Sequence, residues 1–360
     1  MKFSWLNEMD PMDRFKTILR GEKPDRVGVF PLMMGHSAIA CGYPNLGDYY
    51  AKADVSVRCQ MLAKELYGHD EPVHLVSPGS NAGEWGSKIE HPYRPKMGAI
   101  ATIESVAKTP NDIENLVVPD PNTAPYMQEY TKMIQLAIDK KQFPFVFVYG
   151  GWLSHAAPRI AELEQVLIWM HKAPDLVDKL LDKDLEWGIR QAEYFVKKFD
   201  SETWLPWDPN PTDSNTLISP SMFARFPMPR AIKLHQKVLD LGLPMWFTHW
   251  CSNHKGNMKA GYIEKIPQGK PGIIQFGPEV DLQYTVDHYG DKYIILGNVD
   301  PPSCMLKSFD EVYALCKRDV EIGKKSPKGY FLSCGCELPP RTPSVNAYAF
   351  MKAARDFGKY

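Results

Sequence analysis

The chain has 360 residues, 44% of them hydrophobic and 24% charged, a mix that suits a soluble globular protein of one large domain or two ordinary ones. Its formal charge of −1 and its lack of any long basic run argue against a nucleic-acid or anionic-membrane surface, and no apolar segment is long enough to span a bilayer. Seven cysteines, an odd number scattered through a long chain, make a poor disulfide framework and point to the reducing cytoplasm.

The opening MKFSWLNEMDPMDRF is interrupted by Glu8, Asp10 and Asp13 and lacks the apolar stretch of a secretory signal. The first apolar run, Val27–Leu32, leads into His36 within PLMMGHSAIACGYP, and the second is Val73–Val76. From Ser77 to Gln142 the pattern is irregular, and Glu84–Tyr93 within it reads as short strands. Phe145–Tyr149 is the third run, with Trp152 just beyond. Asp175 to Phe199 then carries Val177, Leu180, Leu181, Leu185 and Ile189 at helical spacing. The fourth run, Thr203–Trp207, is followed by Asp208, and Ser219-Pro220 opens a helix reaching Leu241. The fifth, Met245–Thr248, ends in His249-Trp250-Cys251. Ile273–Phe276 precedes Glu279, and Tyr293–Leu296 precedes Asn298 and Asp300. A capping box at Ser308 to Glu311 opens a helix to about Gly323. Tyr330–Ser333 runs into Cys334-Gly335-Cys336, and Thr342-Pro343 opens a last helix that stops near Gly358.

These eight runs are nearly continuous in apolar residues, as in parallel strands buried on both faces. With helices between them they predict an α/β fold, a single (β/α)8 TIM-type barrel domain over residues 1–360 with an irregular insertion after strand 2. A doubly wound open sheet is the structural alternative, but no G-x-G-x-x-G follows any run.

His249 and Cys251 stand two apart, a spacing that puts both side chains on one face of an extended segment. A neutral imidazole and two thiolates form a tetrahedral zinc site with its fourth position open. The pattern alone does not choose between Cys334 and Cys336, and Cys251-x-x-His254 is a further pair. Each residue has an ordinary reading as well: cysteine as a small buried hydrophobe, histidine as a packed core side chain.

MDRFKTILRGEKPDRVGVFP, LISPSMFARFPMPRAIKLH, ILGNVDPP and GYFLSCGCELPPRTPSVNAYAFMKAARDFGKY resemble, in order and spacing, segments of the uroporphyrinogen decarboxylase superfamily, specifically its corrinoid-dependent methyltransferase branch. The resemblance covers essentially the whole chain. It implies one (β/α)8 barrel with zinc held by H-x-C and by the cysteine directly after a glycine, hence His249, Cys251 and Cys336, with Cys334 a thiol that supports the ligands or packs. The decarboxylases of that superfamily carry an arginine-rich stretch after the first strand to clamp a polycarboxylate, whereas Val27 to Val57 holds no arginine. They also need no metal.

Methyl transfer can use zinc in two ways. Zinc can lower the pKa of a bound thiol, or act as a Lewis acid on a methyl ether oxygen, as in an O-demethylase. Two thiolate ligands weaken Lewis acidity and favour a thiol or thioether. The aromatics Tyr149, Trp152, Trp204, Trp207, Trp246, Trp250 and Phe276 suit a methoxylated ring. Asp208 and Glu279 are candidate proton acceptors, partners of His249 or a labile fourth ligand, and His36, Tyr149, Trp152 and Asn298 are candidate substrate contacts. Since no D-x-H-x-x-G signature is present, cobalamin is expected on a separate corrinoid protein. The expected function is zinc-dependent methyl transfer between a small molecule and that cobalamin. The alternatives are a decarboxylase-like lyase and a non-catalytic ligand-binding barrel.

Overall fold

The computed structural model describes residues 8–360; residues 1–7, part of the opening segment read above for a signal, lie outside it. Ten strands occur among the described residues: β1 (Gly28–Val29), β2 (His74–Leu75), β3 (Lys88–Glu90), β4 (Ala101–Glu104), β5 (Phe145–Phe147), β6 (Leu205–Pro209), β7 (Phe247–Trp250), β8 (Ile273–Phe276), β9 (Ile294–Val299) and β10 (Tyr330–Cys334). Eight of them form one sheet in the order β1-β10-β9-β8-β7-β6-β5-β2, which is the cyclic order of a (β/α)8 fold. All eight apolar runs become strands of that sheet. No helix among the described residues is long and apolar enough to cross a membrane.

The chain divides into two compact units. One comprises residues up to Tyr43, Arg58–Val73 and Lys270–Tyr360. In it β1, β10, β9 and β8 pair in parallel, with Gly28 opposite Phe331, Tyr330 opposite Ile295 and Ile273 opposite Ile294. Helices Phe309–Gly323 and Ser344–Phe357 belong to this unit. The first opens on the expected capping box, Ser308 and Glu311 each capping the other's backbone. Behind β1 lies a buried ionic network. Asp70 accepts from Arg14 at 2.6 Å, from Arg26 at 2.9 Å and from the backbone N–H of Val29 at 2.8 Å.

The other unit comprises Pro44–Val57 and His74–Gly269. Here β2, β5, β6 and β7 pair in parallel, with His74 opposite Phe145, Phe147 opposite Trp207 and Pro209 opposite His249. His74 stacks on Phe145, and Trp207 on Phe247. The segment after β2 is less irregular than expected. β3 and β4 form an antiparallel ribbon, and Met127–Asp139 is a regular amphipathic helix that buries Tyr130, Met133, Ile134 and Ala137.

Two boundaries differ from the pattern. The helix expected from Met222 to Leu241 is broken into Pro220–Arg225 and Pro227–Asp240, because Pro227 has no N–H to give to the turn before it. Strands β6, β7 and β9 run on through Asp208, His249 and Asn298, which apolar runs had placed beyond the strand ends. Their backbones keep the ladder: Asp208 lies opposite Thr248, and Asn298 opposite Ser333.

Candidate metal centre and cleft

His249 is the third residue of β7, with only 2% of its surface exposed. Neither ring nitrogen has a hydrogen-bond partner among the described residues. A buried imidazole left so costs free energy, and metal ligation is one way to satisfy it. The chain does not stay extended to Cys251, as the spacing alone suggested. The Cys251 N–H donates to the carbonyl of His249 at 3.0 Å, an i+2 to i bond that closes a three-residue turn. Ser252 follows in the left-handed region at φ 68°. The same His249 carbonyl accepts from the Asn210 N–H at 3.2 Å, which ties this turn to the end of β6.

Cys336 follows β10 through Gly335. A Cβ on Gly335 would lie 2.7 Å from Cδ and 3.0 Å from N of Pro278, so only glycine permits this close approach. The Gly335 N–H donates to the carbonyl of Val299 at 2.8 Å. The amide of Gln275 donates to the Ser333 hydroxyl at 3.0 Å and to the Cys334 carbonyl at 2.6 Å, bracing the end of β10 from β8. Cys334 itself is buried, its Sγ 3.3 Å from that of Cys304.

His249 and Cys251 in the second unit, and Cys336 in the first, each offer one ligand atom. One imidazole and two sulfurs are a donor set that suits zinc. Cys334 and His254 are outside this group. His254 is buried, its Nδ1 lies 3.1 Å from the Asn257 amide, and burial lowers its pKa to about 3, so the ring is neutral.

No curated protein matches this sequence. The uroporphyrinogen decarboxylase (URO-D) family matches it over residues 10–357. The chain belongs to the URO-D family. Among solved structures, a methyltransferase from Methanosarcina mazei aligns with a TM-score of 0.77 at 20% identity, over 97% of this chain and 99% of that one. That likeness establishes the shared fold. A B12-independent methionine synthase from Shewanella sp. W3-18-1, in complex with selenomethionine, aligns with a TM-score of 0.43 at 11% identity, over 84% and 87%.

Within this URO-D family fold the other candidates have differing surroundings. Asp208 is fully buried and accepts from the Trp152 indole and from His235 Nε2 at 2.9 Å, while its Oδ1 has no partner among the described residues. His235 sits on helix Pro227–Asp240, so Asp208 faces the helix layer. Glu279 is exposed in the turn after β8. His36 is buried with both nitrogens engaged, by the Pro340 carbonyl at 3.2 Å and the Tyr67 hydroxyl at 3.0 Å. Trp152 packs edge-on against Trp250, ring centroids 5.6 Å apart. Tyr149 is buried beside Phe147, centroids 3.8 Å apart, and burial raises its phenol pKa. The Asn298 amide donates to the carbonyl of Val280 at 2.7 Å. Asp300 caps the following helix through the Ser303 N–H at 2.9 Å.

No sequence pattern singles out a set of polar residues in the second unit. Asp213 accepts from the N–H groups of Leu153 and Ser154, both at 2.9 Å. Burial raises its pKa to about 7. Asp184, Glu84 and Arg159 belong to the same set. They come from separate segments, and no local motif joins them.

Proposed function

We propose that this protein is a zinc-dependent methyltransferase that moves a methyl group between a small molecule and the cobalamin of a partner corrinoid protein in the cytoplasm. The observation that carries this reading is the buried imidazole of His249, with neither nitrogen partnered among the described residues and Cys251 two residues on. Zinc bound there would supply either activation of a thiol or polarisation of a methyl ether oxygen. The residues of the chain have the remaining tasks. His249, buried and with neither ring nitrogen partnered among the described residues, offers an imidazole. Gly335 and the Gln275 amide hold the segment bearing Cys336. Asp208 positions Trp152, and Trp152 and Tyr149 give aromatic walls for substrate. Glu279 has the solvent access that a proton acceptor needs. Asn298 and His36, whose polar atoms are engaged within the fold, shape rather than bind.

The URO-D family name also raises decarboxylation. Against it stands the absence of arginine from Val27 to Val57, where a polycarboxylate clamp is expected. The deciding experiment measures zinc per chain, then screens methyl ethers, thiols and methylamines with free cobalamin at the corrinoid absorbance bands. About one zinc per chain with methyl transfer supports the reading. A metal-free protein that is inert toward cobalamin overturns it.

A further inference from the structure

The segments that follow β2, β5 and β6 line a cleft of about 610 Å³ in the second unit. Ile103 of β4, Pro158 and Leu163 give it apolar wall, and Ser154, Arg159 and Thr212 line it with polar groups. Thr212 stands two residues past Asn210, whose N–H bonds the carbonyl of His249, so the cleft adjoins the strand that carries a candidate metal ligand.

Arg159 is the unusual member. Its Nη1 donates to the Ser154 carbonyl at 2.6 Å, and it forms no ion pair among the described residues. The guanidinium carbon lies 5.9 Å from the ring centroid of Phe147 and 5.6 Å from that of Tyr149, within cation–π range. The carboxyls that feel its charge are Asp184 and Glu84. Asp184 accepts a long bond from the Asn81 amide at 3.5 Å, and Glu84 accepts from the Ser77 hydroxyl. Burial lifts Asp184 to about 8 and Glu84 to about 7, so around neutral pH neither fully offsets a guanidinium, whose charge is permanent. At the rim Glu104 is paired with Lys108, and Glu162 is exposed.

We infer that Arg159 is an anion subsite and that the small-molecule substrate carries a carboxylate, which the planar guanidinium engages inside this cleft. The inference deepens the methyltransferase reading and rests on it for the word substrate. A single cation with acidic residues at the rim suits a monoanionic carboxylate, whereas a phosphate dianion calls for more positive charge.

The test is calorimetric titration of the zinc-loaded protein with para-methoxybenzoate and its amide, with methylthiopropanoate and its amide, and with inorganic phosphate. At least one acid should bind, its amide about ten- to hundredfold more weakly, the range for a charge-assisted hydrogen bond. Arg159→Met should erase that preference, and Arg159→Lys should keep part of it. Equal binding of acid and amide by the unaltered protein would overturn the inference, as would binding of neither acid or tighter binding of phosphate. So would an acid preference that survives Arg159→Met. Because heat is read without cobalamin, the two readings fail separately. Acid binding without any methyl transfer would leave the subsite and remove the methyltransferase. Transfer from neutral substrates untouched by Arg159→Met would do the reverse.

Discussion

Arg14 and Arg159 both lie mostly out of water, in different company. Arg14 meets Asp25 at 2.6 Å, Asp70 at 2.6 Å and the carbonyl of Met9 at 2.6 Å. Arg159 meets one carbonyl and two aromatic rings. Two histidines repeat the contrast: among the described residues His36 has both nitrogens engaged, His249 neither. A buried polar group with all its partners in the chain is holding the fold together. One without them stores an unmet demand that a ligand can meet. The two kinds of region should therefore respond in opposite ways to substitution.

The largest effect is expected at the unmet group. Cys336→Ala and His249→Leu should each lower zinc from about one per chain to near none by elemental analysis, with methyl transfer to cobalamin falling below detection. Cys334→Ala should keep its zinc; the reverse pattern would exchange the two cysteines' roles. Next comes the saturated network. Asp70→Ala strands Arg14 and Arg26 without their shared carboxylate and should cost about 3–5 kcal/mol in urea unfolding. The comparison sharpens if His249→Leu, measured without metal, shifts stability by less than about 1 kcal/mol or raises it. A loss as large as that of Asp70→Ala would break it.

Gly335→Ala should come third, at about 1–3 kcal/mol, since the added methyl meets Pro278. It should also weaken zinc retention against a chelator by shifting Cys336. The last effect concerns pH. Burial raises the Asp184 carboxyl from its ordinary 3.8 to about 8. The folded state thus holds a proton that the unfolded state has lost. Its stabilising contribution is complete below about pH 4 and is lost as pH rises through the folded value of about 8. Melting temperatures of Asp184→Asn should fall less steeply between those limits than those of the unaltered chain.

Much of this was legible in the sequence because it is local. Eight apolar runs named the eight strands, since strands buried on both faces need little else. The His249, Cys251 and Cys336 trio could be picked out from H-x-C, a distant G-C and a family likeness. What periodicity missed lies where backbone hydrogen bonding outlasts hydrophobicity, as at Asp208 and Asn298, or where proline interrupts an apolar pattern, as at Pro227. The bond from Cys251 N–H to the His249 carbonyl is equally invisible to spacing rules. The surroundings of Arg159 are drawn from residues as far apart as Ser80 and Thr212, and only folding assembles them.

The β3–β4 ribbon contributes Ala101 to Glu104 to the lining of that cleft while belonging to neither the eight-stranded sheet nor the metal-ligand group. Exchange of this one appendage for another of different length or side chains would retune which molecules are admitted without disturbing the machinery beneath. Diversification of substrate range in such a scaffold can therefore proceed by grafting at a single surface turn.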